Sequence, residues 1–182
     1  MVFTALLTLL LLIRGQPAHA GGVGWPVEGK VVYVDDGDTL ILLQADLSKV
    51  TVRLSDIDAP EISHSTGRPG QPYSDLSRRS LSELAKGQLA TATCYETDRW
   101  QRSVCTVFVK GIDVNAEQLK RGMAWVNRAN RRYVRNRQSY TLEAQAKSGA
   151  VGLWSAMQPT PVAPWIWRHQ CWKLQLCEGA GQ

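Results

Sequence analysis

The chain has 182 residues, of which 44% are hydrophobic, with a formal net charge of +5 and a pI of about 9.2. This apolar content is enough for a packed core and excludes an intrinsically disordered chain, and the length suits one compact domain. The basic balance favours polyanionic partners, although net charge by itself determines neither fold nor chemistry.

Residues 1–20 are predicted to be a secretory signal peptide. Thr4 to Ile13 is an apolar run rich in leucine, and Ala18-His19-Ala20 follows it as a small-residue cleavage site. The run is short for a membrane span, but no Lys or Arg precedes it, so an uncleaved membrane anchor is the alternative. Cleavage after Ala20 would give a periplasmic or secreted chain without membrane attachment, which we expect to be a monomer.

The next part of the chain predicts three strands. Two β-rich runs between Gly29 and Leu43 flank Asp35-Asp36-Gly37-Asp38, which indicates a hairpin with a tight turn. Alternating apolar residues from Lys49 to Leu54 predict the third strand. It ends at Asp58-Ala59-Pro60-Glu61, because proline cannot continue a central strand.

These strands bring several carboxylates and one arginine, Arg53, close together in the sequence. Carboxylates repel each other unless a cation lies among them, and Ca²⁺ and Mg²⁺ prefer oxygen ligands. The guanidinium fork of arginine matches the geometry of phosphate. The pattern therefore indicates a divalent cation and a phosphate-containing substrate. Taken singly, Asp-Gly-Asp is more often a plain hairpin turn, and Asp58 and Glu61 could cap a strand or form a salt bridge.

The rest of the chain predicts two further strands and three helices. In order, these are a helix over 74–84, strands over 88–95 and 103–109, and helices over 115–121 and 142–150. Five strands with helices between and after them indicate a small OB-type barrel, of mainly β or α+β class. This domain is predicted to span residues 21–157, and a Pro-, Trp- and Cys-rich tail, residues 158–182, is expected to pack on its surface.

The cysteines are consistent with export. An even number of cysteines in an exported chain predicts disulfides, and the four present here allow three connectivities. We favour Cys94–Cys105 across a predicted hairpin and Cys171–Cys177 within a short loop of the tail. A zinc site is the alternative, but the chain has no Cys-x-x-Cys pair.

Five short motifs follow one another along these predicted elements. They are Asp36-Gly37-Asp38-Thr39, Arg53 to Glu61, Asp98 to Arg102, Val114-Asn115 with Gly122, and Glu143 to Lys147 with Gly152-Leu153-Trp154. In this order and spacing they resemble the thermonuclease family, the staphylococcal nuclease-like proteins. The resemblance covers the segment from about Gly29 to Trp154 and implies a five-stranded OB-type barrel with three helices, which agrees with the prediction from the pattern.

The resemblance also implies an activity and its residues. The activity is Ca²⁺-dependent hydrolysis of phosphodiester bonds in DNA and RNA, with single strands preferred, little sequence preference and 3′-phosphate products. Glu61 resembles the general base that activates water, and Arg53 and Arg102 resemble the arginines that bind the scissile phosphate. The metal ligands implied are Asp38, Asp58 and the backbone carbonyl of Ala59, with Asp36 in support. Asp56 is a further candidate for a supporting residue.

Several basic and aromatic residues are candidates for binding nucleic acid along its backbone or by base stacking. They are Trp100, Tyr133, Arg128, Arg131 and Arg132. A solvated basic face is the alternative interpretation of the arginines. The chain also departs from the family pattern, since Gln101 replaces a common glycine and Asn127 a common tyrosine. We expect these departures to affect substrate affinity more than the reaction.

The alternative function is a catalytically inactive OB-type module that only binds nucleic acid, because many OB barrels do no chemistry. A module that had lost catalysis would be expected to have lost at least one residue of the implied site. That site is complete here: Asp38, Asp58, Arg53, Glu61 and Arg102 are all present. The sequence therefore favours the enzyme.

Overall fold

The structure, a computed structural model, describes residues 24–129, 133–155 and 159–177. The predicted signal peptide lies outside these residues. Within the described ranges, no helix is long and apolar enough to cross a membrane.

The described residues form eight strands and four helices. The strands are β1 (Trp25–Val34), β2 (Thr39–Leu43), β3 (Lys49–Leu54), β4 (Ile57–Asp58), β5 (Leu89–Thr97), β6 (Ser103–Val109), β7 (Ile112–Asp113) and β8 (Trp125–Val126). The helices are α1 (Ser74–Ala85), α2 (Val114–Lys120), α3 (Gln138–Ser148) and α4 (Pro164–Trp167). A 3₁₀ turn covers Gly152–Trp154, and a π-helical turn, Arg168–Lys173, continues α4.

Five strands close into a barrel, which confirms the predicted OB-type fold. The order β3-β2-β1-β5-β6 is antiparallel throughout, and β3 then pairs in parallel with β6 between Val52↔Ser103 and Leu54↔Cys105. Alternation along the strands directs one face inward, so Val31, Leu42 and Val107 are completely buried in the core. Closure by the β3–β6 pair positions the end of β3, which carries Arg53, beside the β1–β2 turn.

Helices α1 and α2 support the turn between β1 and β2. Gln118 of α2 donates a hydrogen bond to the carbonyl of Gly37 at 2.8 Å, and Ser80 of α1 donates to Gln118 at 2.7 Å. Gly37 lies so close to α1 that an added Cβ would be 1.8 Å from Oγ of Ser77. Only glycine can therefore occupy the centre of the Asp36-Gly37-Asp38 turn without moving the helix.

Asn115, in the fourth of the five motifs, has a structural role. Its buried amide donates to the carbonyls of Ser55 and Cys105 at 2.9 and 3.0 Å, and its Oδ1 accepts the N–H of Val107 at 3.0 Å. These bonds tie the turn after β3 to β6. A buried amide with all these partners rigidifies its surroundings.

Both predicted disulfides are present. Cys94 and Cys105 lie directly opposite each other on β5 and β6 and are bonded, and Cys171 is bonded to Cys177 in the tail. All the cysteines are therefore used as disulfides, which removes the zinc alternative.

The last barrel helix begins earlier than predicted. We expected a helix over 142–150, but α3 spans Gln138–Ser148. The first turn is polar in sequence, yet Ser139 is buried and the backbone N–H of Gln138 bonds to the side chain of Asn136 at 2.9 Å. Apolar periodicity misses a first turn whose buried residue is a serine. The fourth helix, α4, lies in the tail, where we predicted none.

Candidate functional site

Three aspartates meet where the β1–β2 turn approaches the end of β3. The backbone N–H of Asp38 donates to Oδ1 of Asp36 at 2.9 Å, and Oδ2 of Asp38 accepts the N–H of Ala59 at 2.7 Å. Asp58 lies in β4 and is held by its pairing with Trp125 of β8. All three carboxylates are buried.

Arg53 links two of these aspartates. Its Nη2 lies 3.0 Å from Oδ2 of Asp38 and 3.1 Å from Oδ1 of Asp58. Its Nη1 donates to the carbonyls of Leu54 and Ile57 at 2.8 and 2.9 Å. The side chain is only 12% exposed, so the guanidinium has one fixed orientation between the two carboxylates.

A second arginine reaches the site from the tail. Nη1 and Nη2 of Arg168 donate to Oδ1 and Oδ2 of Asp58 at 3.1 and 2.8 Å, and Nη1 also donates to Oε1 of Glu61. We did not single out Arg168 from the sequence. The tail shows only an isolated arginine among tryptophans, and no local pattern signals that it folds back onto Asp58.

Arg102 is connected to Asp38 through the hydroxyl of Thr39. Its Nε donates to Asp98 at 2.8 Å, and its Nη1 lies 3.4 Å from Oγ1 of Thr39, which in turn donates to Asp38 at 3.1 Å. Gln101 has φ of 62°, the left-handed conformation that glycine adopts readily. The loop thus keeps a glycine-like backbone although the family's common glycine is replaced.

Burial destabilises the charged forms of several carboxyl groups of the site. Burial raises the pKa of Asp38 to about 8, opposed by Arg53 and assisted by repulsion from Asp36 and Asp58. Burial also raises the pKa of Asp36 and of Glu61, and the latter increase is opposed by Arg168. These carboxyl groups are therefore harder to ionise than exposed ones.

The oxygen atoms of the site suit a hard cation, but the side chains alone do not complete a metal site. In the described part of the chain, no group of three or more His, Cys, Asp or Glu side chains is arranged to hold a metal ion. Asp38 and Asp58 do lie against the same guanidinium nitrogen, and the Ala59 backbone is beside them. A metal site here would use the carboxylates of Asp38 and Asp58, the carbonyl of Ala59 and water, which fits the oxygen preference of Ca²⁺ or Mg²⁺.

The predicted nucleic-acid residues are spread around this site. Trp100 is 62% exposed at the tip of the β5–β6 hairpin, with the guanidiniums of Arg99 and Arg102 at 4.0 and 5.0 Å from its ring centroid. Tyr133 is half-buried. Arg131 and Arg132 lie outside the described residues.

Arg128 has a structural partner that the sequence did not indicate. Its guanidinium pairs with the buried carboxylate of Glu143, with Nη1 at 2.9 Å from Oε1, and lies over the ring of Tyr140. Glu143 also accepts the N–H of Val126 at 3.1 Å. Arg128 therefore helps to hold β8 on α3, while its side chain stays 40% exposed.

Asp56 does not join the other aspartates. It has φ of 69°, and its carboxylate accepts the backbone N–H groups of Arg135 and Asn136 at 2.7 and 3.2 Å. Its own carbonyl accepts the N–H of Asn127 at 2.7 Å. Asp56 thus anchors the segments before α3 and after β8.

Comparisons with known proteins show the family to which the chain belongs. The family model described as staphylococcal nuclease homologue matches residues 51–156. An uncharacterized endonuclease of Escherichia coli is 34% identical over 152 residues, covering 80% of this chain and 91% of that protein. A micrococcal nuclease of Shigella flexneri is 32% identical over 174 residues, covering 91% of each. The chain belongs to the staphylococcal nuclease family.

Proposed function

We propose that the protein is an exported, Ca²⁺-dependent nuclease that hydrolyses phosphodiester bonds of DNA and RNA. It would prefer single strands, with little sequence preference, and leave 3′-phosphates. Family membership supports the nuclease activity. The observation that supports the choice of site is the ion pairing of Arg53 with both Asp38 and Asp58, which brings cationic and anionic groups together at one point.

Ca²⁺ would be held by Asp38, Asp58 and the carbonyl of Ala59, with Asp36 supporting the turn through its bond to the Asp38 N–H. When bound, a divalent cation stabilises negative charge on phosphate oxygens and makes an adjacent water more acidic. Two carboxylates on one guanidinium nitrogen are close enough to serve a common ion. This geometry supports the choice of ligands.

Glu61 would accept the proton of the attacking water. Burial raises the pKa of its carboxyl group against the effect of Arg168, and a carboxylate with a raised pKa is a stronger base. Arg53 and Arg102 would neutralise the charge that develops on the phosphate, which is the main requirement for phosphoryl chemistry. Arg53 is already rigidly oriented, whereas Arg102 depends on the hairpin that carries it.

The strand would lie across the exposed hairpin tip and the basic segment before α3. Trp100 offers a flat face for base stacking, flanked by two guanidiniums. Tyr133, Arg128, Arg131 and Arg132 are the other residues that we propose to contact the backbone of the substrate. We propose no contact to base edges, which is consistent with low sequence preference.

Export to the periplasm or the medium is supported by the two disulfides, which persist in oxidising compartments. Residues 1–20 would be removed as the signal peptide, and the mature enzyme would act as a monomer without membrane attachment.

Degradation of single-stranded DNA by residues 21–182 tests this function. We expect cleavage with added Ca²⁺, none after chelation, and a loss of several orders of magnitude in Glu61→Gln. Glu83→Gln is the matched control, because Glu83 is exposed on α1. Binding of DNA without cleavage under any divalent ion would contradict the proposal and favour the inactive binding module.

A further inference from the structure

The tail, residues 159–177, packs on the loop that follows the site, residues 61–73. Five hydrogen bonds join the two segments. Two are donated by the loop, from Tyr73 to the carbonyl of Pro159 and from Gln71 to the carbonyl of Val162. Three are donated by the tail, from Trp167 and Trp172 to the carbonyl of Pro69 and from Gln175 to the carbonyl of Gly67. The indole of Trp172 also lies edge-on to His64, with ring centroids 5.4 Å apart. The tail is thereby fixed beside Glu61.

Arg168 is directed into the site by its neighbours in the tail. Trp167 precedes it and is almost fully buried, and Cys171 is completely buried and bonded to Cys177. These anchors lie on either side of Arg168 along the helical turns of the tail. The fold of the tail therefore directs the side chain of Arg168 toward Asp58.

The contacts of Arg168 involve Asp58, a proposed ligand of the divalent cation, and Glu61, the proposed base. It uses both carboxylate oxygens of Asp58 and one of Glu61. Within the described residues, each hydrogen bond of its guanidinium goes to one of these two carboxylates. Arg53 and Arg168 already meet at the carboxylate of Asp58, so a divalent cation added there would be repelled by both guanidiniums unless one of them moves away.

Arg53 and Arg168 differ in their freedom to move. Arg53 is 12% exposed and bound to two backbone carbonyls besides the aspartates, whereas the side chain of Arg168 is 33% exposed. Arg168 can turn toward solvent without leaving a backbone carbonyl unpaired. Of the two arginines that contact Asp58, it is the one that can be displaced.

We propose that Arg168 is a further residue of the site, brought there by the tail, and that it competes with the divalent cation for Asp58. This inference rests on the proposed function, since it assumes the cation at Asp38 and Asp58. Ca²⁺ binding then requires the guanidinium of Arg168 to leave Asp58. The tail lowers the affinity of the site for the cation and sets the concentration at which the enzyme becomes active.

Calorimetric titration of Ca²⁺ into residues 21–182 tests the competition. Arg168→Gln should lower the Kd for Ca²⁺ by on the order of tenfold, which lies within the range of coupling between two binding events on one protein. Lys173→Ala is the matched control, because it removes an exposed charge from the same turn and should leave the Kd unchanged. A Kd in Arg168→Gln equal to or higher than that of the wild type would overturn the proposal.

Arg168→Lys separates loss of charge from disturbance of the tail. Lysine keeps the charge but cannot donate in a fork to both oxygens of Asp58, so its Kd should lie between those of the wild type and Arg168→Gln. If Arg168→Gln does not fold, Arg168→Lys still tests the fork, and a Kd equal to or higher than that of the wild type would overturn the part of the fork in the competition. Where both variants fold, a Kd for Arg168→Lys that matches that of Arg168→Gln would overturn competition by charge.

The same titrations distinguish this inference from the proposed function. Measurable and equal Kd values in the wild type and Arg168→Gln would remove only the competition by Arg168. Absence of Ca²⁺ binding in the wild type and in every variant would remove the metal assignment itself, and the competition with it.

Discussion

Arg168 donates to both carboxylate oxygens of Asp58, at 3.1 and 2.8 Å, from 110 positions away in the chain. Asp58 belongs to the short strand β4 beside the barrel, and Arg168 to the tail that follows the last barrel helix. The barrel and the tail therefore build one site together. The tail itself is fixed to the loop after Asp58 by its hydrogen bonds with residues 67–73.

The orientation of Arg53 is expected to be essential. Arg53→Lys keeps the charge but loses the fork that joins Asp38 and Asp58 and that bonds to two carbonyls. We expect kcat/KM on single-stranded DNA to fall by about 10²- to 10³-fold, the loss typical when one positioned donor is removed. The control Arg78→Lys alters an exposed arginine of α1 and should retain full activity, and comparable activity in both variants would contradict the role of the fork.

Asp38 is expected to control metal affinity. Asp38→Ala removes a proposed ligand, and we expect the Kd for Ca²⁺ to rise by about tenfold to a hundredfold or more, since even residues that only support metal ligands matter this much. Asp35→Ala changes the adjacent, half-buried carboxylate of the same turn and should bind Ca²⁺ normally. Calorimetry on both variants checks this, and an unchanged Kd in Asp38→Ala would exclude Asp38 as a ligand.

Gly37 is expected to determine the shape of the turn. In Gly37→Ala the new Cβ would lie 1.8 Å from Oγ of Ser77 and 2.7 Å from Cβ of Ala59. We expect the free energy of unfolding to fall by about 1–3 kcal/mol, as in other overpacked sites, and Ca²⁺ binding to weaken because Asp38 moves. Gly67→Ala, where no atom lies within 4 Å of the added Cβ, should unfold like the wild type in urea.

The Glu143–Arg128 pair is expected to make stability depend on pH. Burial alone would raise the pKa of Glu143, but hydrogen bonds from Arg128 and from the N–H of Val126 outweigh it, so its pKa lies below the ordinary 4.5. A depressed folded-state pKa contributes stability above the unfolded-state value, and this stability is lost as the pH falls through the folded-state value. Glu143→Gln should therefore be less stable than the wild type at neutral pH, by about 1–2 kcal/mol given the exposure of Arg128.

Urea unfolding of both proteins across a range of pH checks this dependence. The difference in free energy of unfolding should be constant at neutral pH and shrink below about pH 4.5. A difference that grows as the pH falls would have the wrong sign for a carboxylate with a lowered pKa.

The barrel and both disulfides could be predicted from local patterns. Alternating apolar residues mark β3, and β-rich runs mark β1, β2, β5 and β6. Cys94 and Cys105 come at the facing ends of a predicted hairpin, where strand pairing must bring them together. The start of α3 was missed because its first turn is polar. Its buried residues include Glu143, whose partner Arg128 lies elsewhere in the chain.

By itself the sequence determined which chemical groups are present and which strands carry them. Asp36, Asp38, Arg53, Asp58 and Glu61 lie on or beside strand ends whose local pattern is strong, so their proximity followed from a hairpin and the next strand. Only the tertiary structure decided that Arg168 meets Asp58 and that Arg128 meets Glu143. Both contacts join segments without a shared local pattern. They depend on where the tail and the segment after β8 pack, which many weak contacts determine together.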